Sequence, residues 1–191
     1  MKNQTRVAIF ISGTGTNALN LMRYFQNHEC VKIALIFSTR SNAHVKEISG
    51  SFNVNFIEFT NSSNLNWQDS ALIACQDNQI DFIVLAGFLK KVPSVLIECF
   101  PNQIINIHPS LLPKFGGKGM YGKYVHESVI SACEVKSGIT IHFVNEAFDE
   151  GKIIAQFETL LAETETSETL ADKIHLLEME YFPIVLEELL S

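Results

Sequence analysis

Asn106 and His108 stand two residues apart in the run Ile104-Ile105-Asn106-Ile107-His108-Pro109-Ser110-Leu111-Leu112-Pro113. A side-chain amide donates hydrogen bonds without changing charge, and an imidazole takes up or releases a proton near neutral pH. Asp149, in the turn Phe148-Asp149-Glu150-Gly151, can supply a third group. A carboxylate within a few ångströms of an imidazole favours the charged ring, so Asp149 beside His108 is expected to raise the His108 pKa and keep a proton ready for donation. Amide, imidazole and carboxylate in one pocket form a general acid/base and oxyanion set suited to acyl transfer. Ser110 is near, but no G-x-S-x-G elbow surrounds it, which argues against a nucleophilic serine. The plainer account makes Asn106 and His108 satisfied polar groups at a strand-to-loop corner, and Asp149 ordinary turn chemistry.

A second cluster lies near the start. Gly13-Thr14-Gly15-Thr16-Asn17-Ala18 fits G-x-G-x-x-A between a strand and a helix. The dinucleotide fingerprint also wants an acidic residue after the second strand, where this chain has Ser38-Thr39-Arg40. That counts against NAD and leaves an NADP-dependent oxidoreductase, with Arg40 on the extra phosphate, as an alternative. A more economical reading has Gly15, Thr16 and Asn17 holding a single phosphate at a helix N-terminus. Gly117-Lys118-Gly119-Met120-Tyr121-Gly122-Lys123-Tyr124 nearly fits a P-loop, but Tyr124 replaces the magnesium-binding hydroxyl and no strand precedes Gly117. The glycine-rich segment from Lys114 to Lys123 is expected to be a mobile lid.

The elements that must position these groups follow from periodicity. Strands are expected at Val7–Ile11, Ile33–Phe37, Val54–Phe59, Asp81–Gly87 and from Ile104, with further strands at Gly138–Val144 and Lys152–Phe157 forming an antiparallel pair. Asn106 and His108 then share a face at a strand's carboxyl end, where open α/β sheets bind ligands. Helices are expected after Asn17, over Ala43–Ser49, from about Leu65 to Asn78 behind the cap Asn61-Ser62-Ser63-Asn64, from Pro93 in its first turn through Cys99, over about Val125–Ala132, and from Thr166 onward, with Pro183 dividing the last segment into two. Strand, turn and helix in succession predict an α/β, doubly wound, mostly parallel sheet with an antiparallel C-terminal strand, in one domain over residues 1–191.

A net charge of −7 argues against a nucleic-acid surface, and no apolar run is long enough to span a membrane. Cys30, Cys75, Cys99 and Cys133 are widely spaced, so no metal site or disulfide framework is expected and the thiols should be reduced and mostly buried. Met1-Lys2-Asn3-Gln4-Thr5-Arg6 leads straight into a strand, predicting no signal peptide and a cytoplasmic protein, monomeric or weakly dimeric.

Together Ile11–Asn17, Val84-Leu85-Ala86-Gly87-Phe88-Leu89, Asn106–Lys114 and Phe148–Gly151 resemble the folate-dependent phosphoribosylglycinamide formyltransferase family over nearly the whole chain. The resemblance implies a Rossmann-like formyltransferase fold, 10-formyltetrahydrofolate as co-substrate, phosphoribosylglycinamide as acceptor, and no metal. It implies Asn106, His108 and Asp149 as catalytic residues. Gly15, Thr16, Asn17, His175 and Glu178 would bind the ribonucleotide. Asn64, Leu89, Lys90, Lys91, Val92, Asn106, Asn145, Glu146, Ala147, Phe148 and Asp149 would bind the folate. Relatives carry Met-Arg-Ile where this chain has Leu89-Lys90-Lys91, an Arg near Asn64, and often Gln at the place of His175. A formyltetrahydrofolate hydrolase is the nearest alternative within the superfamily.

Overall fold

β1 (Thr5–Ile11) runs through the middle of the molecule and alternates strictly: Val7, Ile9 and Ile11 enter one hydrophobic cluster, Ala8 and Phe10 the other. A strand buried on both faces needs helices on both sides, which is the doubly wound solution. The computed structural model describes residues 4–59 and 66–191. Its elements follow as α1 (Thr16–Tyr24), β2 (Val31–Ser38), α2 (Ala43–Ser51), β3 (Asn55–Glu58), α3 (Trp67–Asp77), β4 (Phe82–Leu85), α4 (Ser94–Cys99), β5 (Ile104–His108), α5 (Lys123–Ser131), β6 (Lys136–Phe143), β7 (Ile153–Leu160) and α6 (Ser167–Leu190). The seven strands lie in the order β3-β2-β1-β4-β5-β6-β7. The first five are parallel, and β6 is antiparallel to both β5 and β7.

The two clusters sit on opposite faces of this sheet. Ala18, Leu21 and Met22 of α1, Val125 and Val129 of α5 and Leu170, Ile174 and Phe182 of α6 cover one. Ala71, Ala74 and Cys75 of α3 with Leu96 of α4 cover the other.

Several sequence expectations need correction. Pro183 does not divide the C-terminal segment: α6 is one helix of 24 residues with Pro183 inside it. Phe182, Pro183, Val185 and Leu186 are all buried there, and burying that face offsets the hydrogen bond a proline cannot donate. Pro93 caps α4 from extended backbone instead of entering its first turn. Asn66 caps α3, its Oδ1 accepting from the Asp69 N–H at 2.8 Å. The cap expected at residues 61–64, and the folate contact expected at Asn64, lie outside the described residues. Cys75 is buried and its thiol is pushed up to about 12 by burial, but Cys99 and Cys133 are exposed. Among the described residues, no helix is long and apolar enough to cross a membrane.

Candidate active site

β5 brings Asn106 and His108 to the carboxyl edge of the sheet, and antiparallel β6 sets His142 opposite Asn106 and Thr140 opposite His108. Thr140 Oγ1 donates to the Ser110 carbonyl at 2.6 Å and accepts from the Leu112 N–H at 3.0 Å, fixing the chain as it leaves β5. Asp149 arrives from the loop between β6 and β7. Its φ of 57° is left-handed, a conformation Asp tolerates better than most residues.

The carboxylate sits between two imidazoles. Asp149 Oδ2 is 3.6 Å from His108 Nδ1, and Oδ1 is 3.7 Å from His142 Nε2. The Gly117 N–H donates to Asp149 Oδ2 at 2.8 Å. His108 Nε2 donates to the Phe115 carbonyl at 2.8 Å. A carbonyl can only accept, so Nε2 carries the fixed proton and Nδ1, facing Asp149, is the nitrogen that titrates. By the same logic His142 Nδ1 donates to the Phe143 carbonyl at 2.8 Å, leaving Nε2 to accept from Asn106 Nδ2 at 3.1 Å. That bond orients the Asn106 amide and leaves its second N–H for a ligand.

The electrostatics differ from the sequence expectation for His108. Burial is the largest influence and pushes its pKa down; Asp149 and the Phe115 hydrogen bond pull it up without overcoming burial, and the His142 charge adds to the lowering. The resting ring therefore titrates below the ordinary 6.5. For Asp149, burial pushes the carboxyl up, but the neighbouring His142 ring, the His108 charge and the Gly117 N–H outweigh it and hold it below the usual value.

A cavity of about 990 Å³ opens in front of this group. Gly15, Thr16, Asn17, His175, Glu178 and Leu89 line it together with Asn106 and His108. A smaller cavity shares Phe88, Asn106, Phe148 and Asp149 with it and is lined by Lys90, Lys91, Val92, Asn145 and Ala147. Glu146 lines neither. Gly15 is the N-cap of α1 at a φ of 77°, and a Cβ there would lie 2.6 Å from Val45 Cγ2. Among the described residues no side chain caps this helix, whose first internal amide bond runs from the Leu19 N–H to the Gly15 carbonyl. The preceding N–H groups are thus open to an anionic acceptor. Asn17 Nδ2 donates to Glu178 Oε2 at 2.8 Å, and His175 Nδ1 lies 3.8 Å from the same oxygen. Burial raises the Glu178 pKa against the pull of both neighbours.

Sequence reasoning missed His142, His126 and the clips from Phe115 and Gly117. The signal for His142 was present: in Ile139-Thr140-Ile141-His142 the polar residues share one face of β6, the face that meets Asn106 and His108. His126, on α5, is buried and lines the large cavity, with an Nδ1 that has no partner among the described residues. Burial lowers its pKa, and His108 adds to the lowering.

Two predictions arise from this geometry. A Cβ at Gly116 would sit 2.5 Å from Leu112 Cδ2 and 3.2 Å from Asp149 Cβ. Gly116→Ala is expected to displace Asp149 by a few tenths of an ångström and lower turnover by about tenfold, short of the ~100-fold that a 1 Å misplacement can cost. Unchanged kinetics in that variant would show that Leu112 alone absorbs the methyl group. The second concerns pH. His108 and His126 have folded pKa values below their unfolded 6.5, so the unfolded chain binds more protons between those values. Their stabilising contribution is complete above 6.5 and is lost as pH falls through the depressed folded values. Thermal melts between about pH 8 and pH 5 should show a falling Tm, with a shallower fall in His126→Gln; parallel slopes would contradict the His126 assignment.

Residues 5–186 match the family model described as Formyl transferase, and the chain belongs to that family. Its relatives narrow the class. It is 32% identical over 190 residues to "Phosphoribosylglycinamide formyltransferase" of Bacillus subtilis, covering 97% of this chain and 95% of that one. It is 46% identical over 113 residues to the chloroplastic phosphoribosylglycinamide formyltransferase of Arabidopsis thaliana, covering 57% of this chain. The matches span 39% of the Arabidopsis protein and 60% of its Vigna unguiculata counterpart. The crystal structure of phosphoribosylglycinamide formyltransferase from Bacillus halodurans superimposes with a TM-score of 0.87 at 35% identity, covering 97% of this chain and 95% of that one. Among the described residues, no group of three or more His, Cys, Asp or Glu is placed to hold a metal ion.

Proposed function

We propose that this chain, acting as one domain, transfers the formyl group of 10-formyltetrahydrofolate to the amine of 5'-phosphoribosylglycinamide, giving formylglycinamide ribonucleotide and tetrahydrofolate. The observation that carries this is a single cavity in which Asn106 and His108, with Asp149, share the space with the uncapped N-terminus of α1. One region suits a phosphate and the other an acyl transfer. Glu178, with Asn17 and His175 beside it, is suited to the ribose hydroxyls. Lys90, Lys91, Val92, Asn145, Ala147 and Phe148 frame the smaller cavity for the folate.

In this reading, as the substrate amine attacks the formyl carbon, the free N–H of Asn106 meets the charge developing on the formyl oxygen. His108, neutral at rest because it is buried, accepts the proton that the amine sheds. Asp149 steadies the resulting imidazolium from 3.6 Å, and His108 returns the proton to the departing folate nitrogen. His142 acts through Asn106 as a positioning residue. The depressed His108 pKa thus serves a shuttle better than a permanently charged donor.

The dinucleotide alternative is disfavoured by the contacts of the loop that follows β1 and by the position of Arg40. Asn42 Nδ2 donates to the carbonyls of Gly13 and Thr14 at 2.9 and 3.1 Å, and Arg40 lines neither cavity. The test is an absorbance assay for tetrahydrofolate release from 10-formyltetrahydrofolate, with and without the ribonucleotide. Release that requires the ribonucleotide is expected. Release without it would mean a hydrolase, and no release would overturn the reading.

A further inference from the structure

The lid between β5 and α5 enters the chemistry above only through its Phe115 and Gly117 anchors, yet it lines the large cavity from Gly117 to Lys123. Among the described residues, Lys118 and Lys123 are the only lysines or arginines lining that cavity. Both are exposed, and among the described residues neither forms an ion pair, whereas Lys114, Lys136 and Lys173 each meet a glutamate. Lys123 begins α5, where the positive end of the helix opposes a cation, and its Nζ rests 5.4 Å from the Tyr124 ring centroid. Two unpaired cations at the mouth of a pocket, in a chain of net charge −7, mark a place for an anion.

We infer that Lys118 and Lys123 close the lid on the 5'-phosphate of the ribonucleotide and so select phosphorylated over unphosphorylated acceptors. The inference rests on the formyl-transfer reading for the identity of that acceptor. The folate's carboxylates are the competing anion, but the cations framing the smaller cavity are Lys90 and Lys91, and neither lid lysine lines it. The lid lysines share their cavity with Gly13 to Asn17 instead. Glycine suits the device: Gly117 and Gly119 have φ of 96° and 91°, letting the lid turn sharply between its anchors. Those anchors are the catalytic pair, since His108 donates to Phe115 and Gly117 donates to Asp149. Seating the lid on a remote phosphate therefore also steadies His108 and Asp149, so part of the phosphate's binding energy is expressed in kcat as well as in KM.

The test compares wild type with Lys118→Gln, Lys123→Gln and the double variant on phosphoribosylglycinamide and on its 5'-hydroxyl riboside, with calorimetric titration of ribose 5-phosphate as a readout independent of formyl transfer. Each variant is expected to lose at least ~10-fold of the preference for the ribonucleotide, the scale of one charge-assisted hydrogen bond, and to weaken ribose 5-phosphate similarly. Lys118→Arg should recover most of it. Equal losses on both acceptors would overturn the inference by showing that the lysines only shape the lid. Unchanged ribose 5-phosphate affinity in the double variant would overturn it too. If wild type transfers no formyl group to the ribonucleotide, the functional reading fails, and the ribose 5-phosphate titration still decides the clamp: absent binding by wild type refutes it, and binding that the glutamine variants weaken supports it.

Discussion

Alanine at position 108 is expected to cut turnover by at least ~100-fold, the lower end of what a general acid/base group contributes. The fold should survive. His108 is 3% exposed, and truncation leaves the Phe115 carbonyl without its donor, a cost of about 1–3 kcal/mol against a typical domain stability of about 5–15 kcal/mol. A loosened lid could by itself slow the reaction, so His108→Gln is the sharper variant. Its side-chain amide can still donate toward Phe115, but it cannot accept and return a proton. Glutamine is expected to keep the Tm near wild type and lose as much turnover as alanine. Recovery of turnover by glutamine would mean that His108 only anchors the lid. In wild type, kcat/KM should fall as pH drops through the His108 pKa, below 6.5, because the imidazolium has no lone pair for the amine's proton.

How far the sequence could foresee this depends on which forces set each feature. The sheet was legible because its strands are buried on both faces and declare themselves as apolar runs, as Phe82–Leu85 does. Asn106 and His108 were legible for the opposite reason: each is a polar residue breaking an apolar strand. Pro183 misled because local backbone preference was allowed to decide a position where burial against the sheet decides instead. The His108 pKa misled for a similar reason. The nearby carboxylate could be anticipated from Asp149, but the depth of burial depends on how the lid folds over β5, and no local pattern records that. His126 was missed because a lone histidine on a helix has no signature until α5 presents it to the cavity.

Asparagine at position 149 is expected to cost at least ~100-fold in kcat/KM with little change in stability, and the backbone explains why the change is clean. Asp149 sits at a φ of 57°, which Asn adopts as readily as Asp, whereas alanine there would add strain to the loss of the carboxylate. The Asn oxygen can still accept the Gly117 N–H, and its amide can face His142 Nε2. What disappears is one negative charge beside His108 Nδ1. The imidazolium that forms during proton transfer then has no counter-charge in a buried setting, where an unpaired charge is costly. Asp149 also raises the His108 pKa, so its removal should move the acid limb of kcat/KM to still lower pH while the plateau falls. The two effects together separate a charge role from a scaffolding one. A lowered plateau with an unmoved limb would mean that Asp149 serves only to hold Gly117 and the lid, and wild-type turnover in the asparagine variant would end the case for the pair.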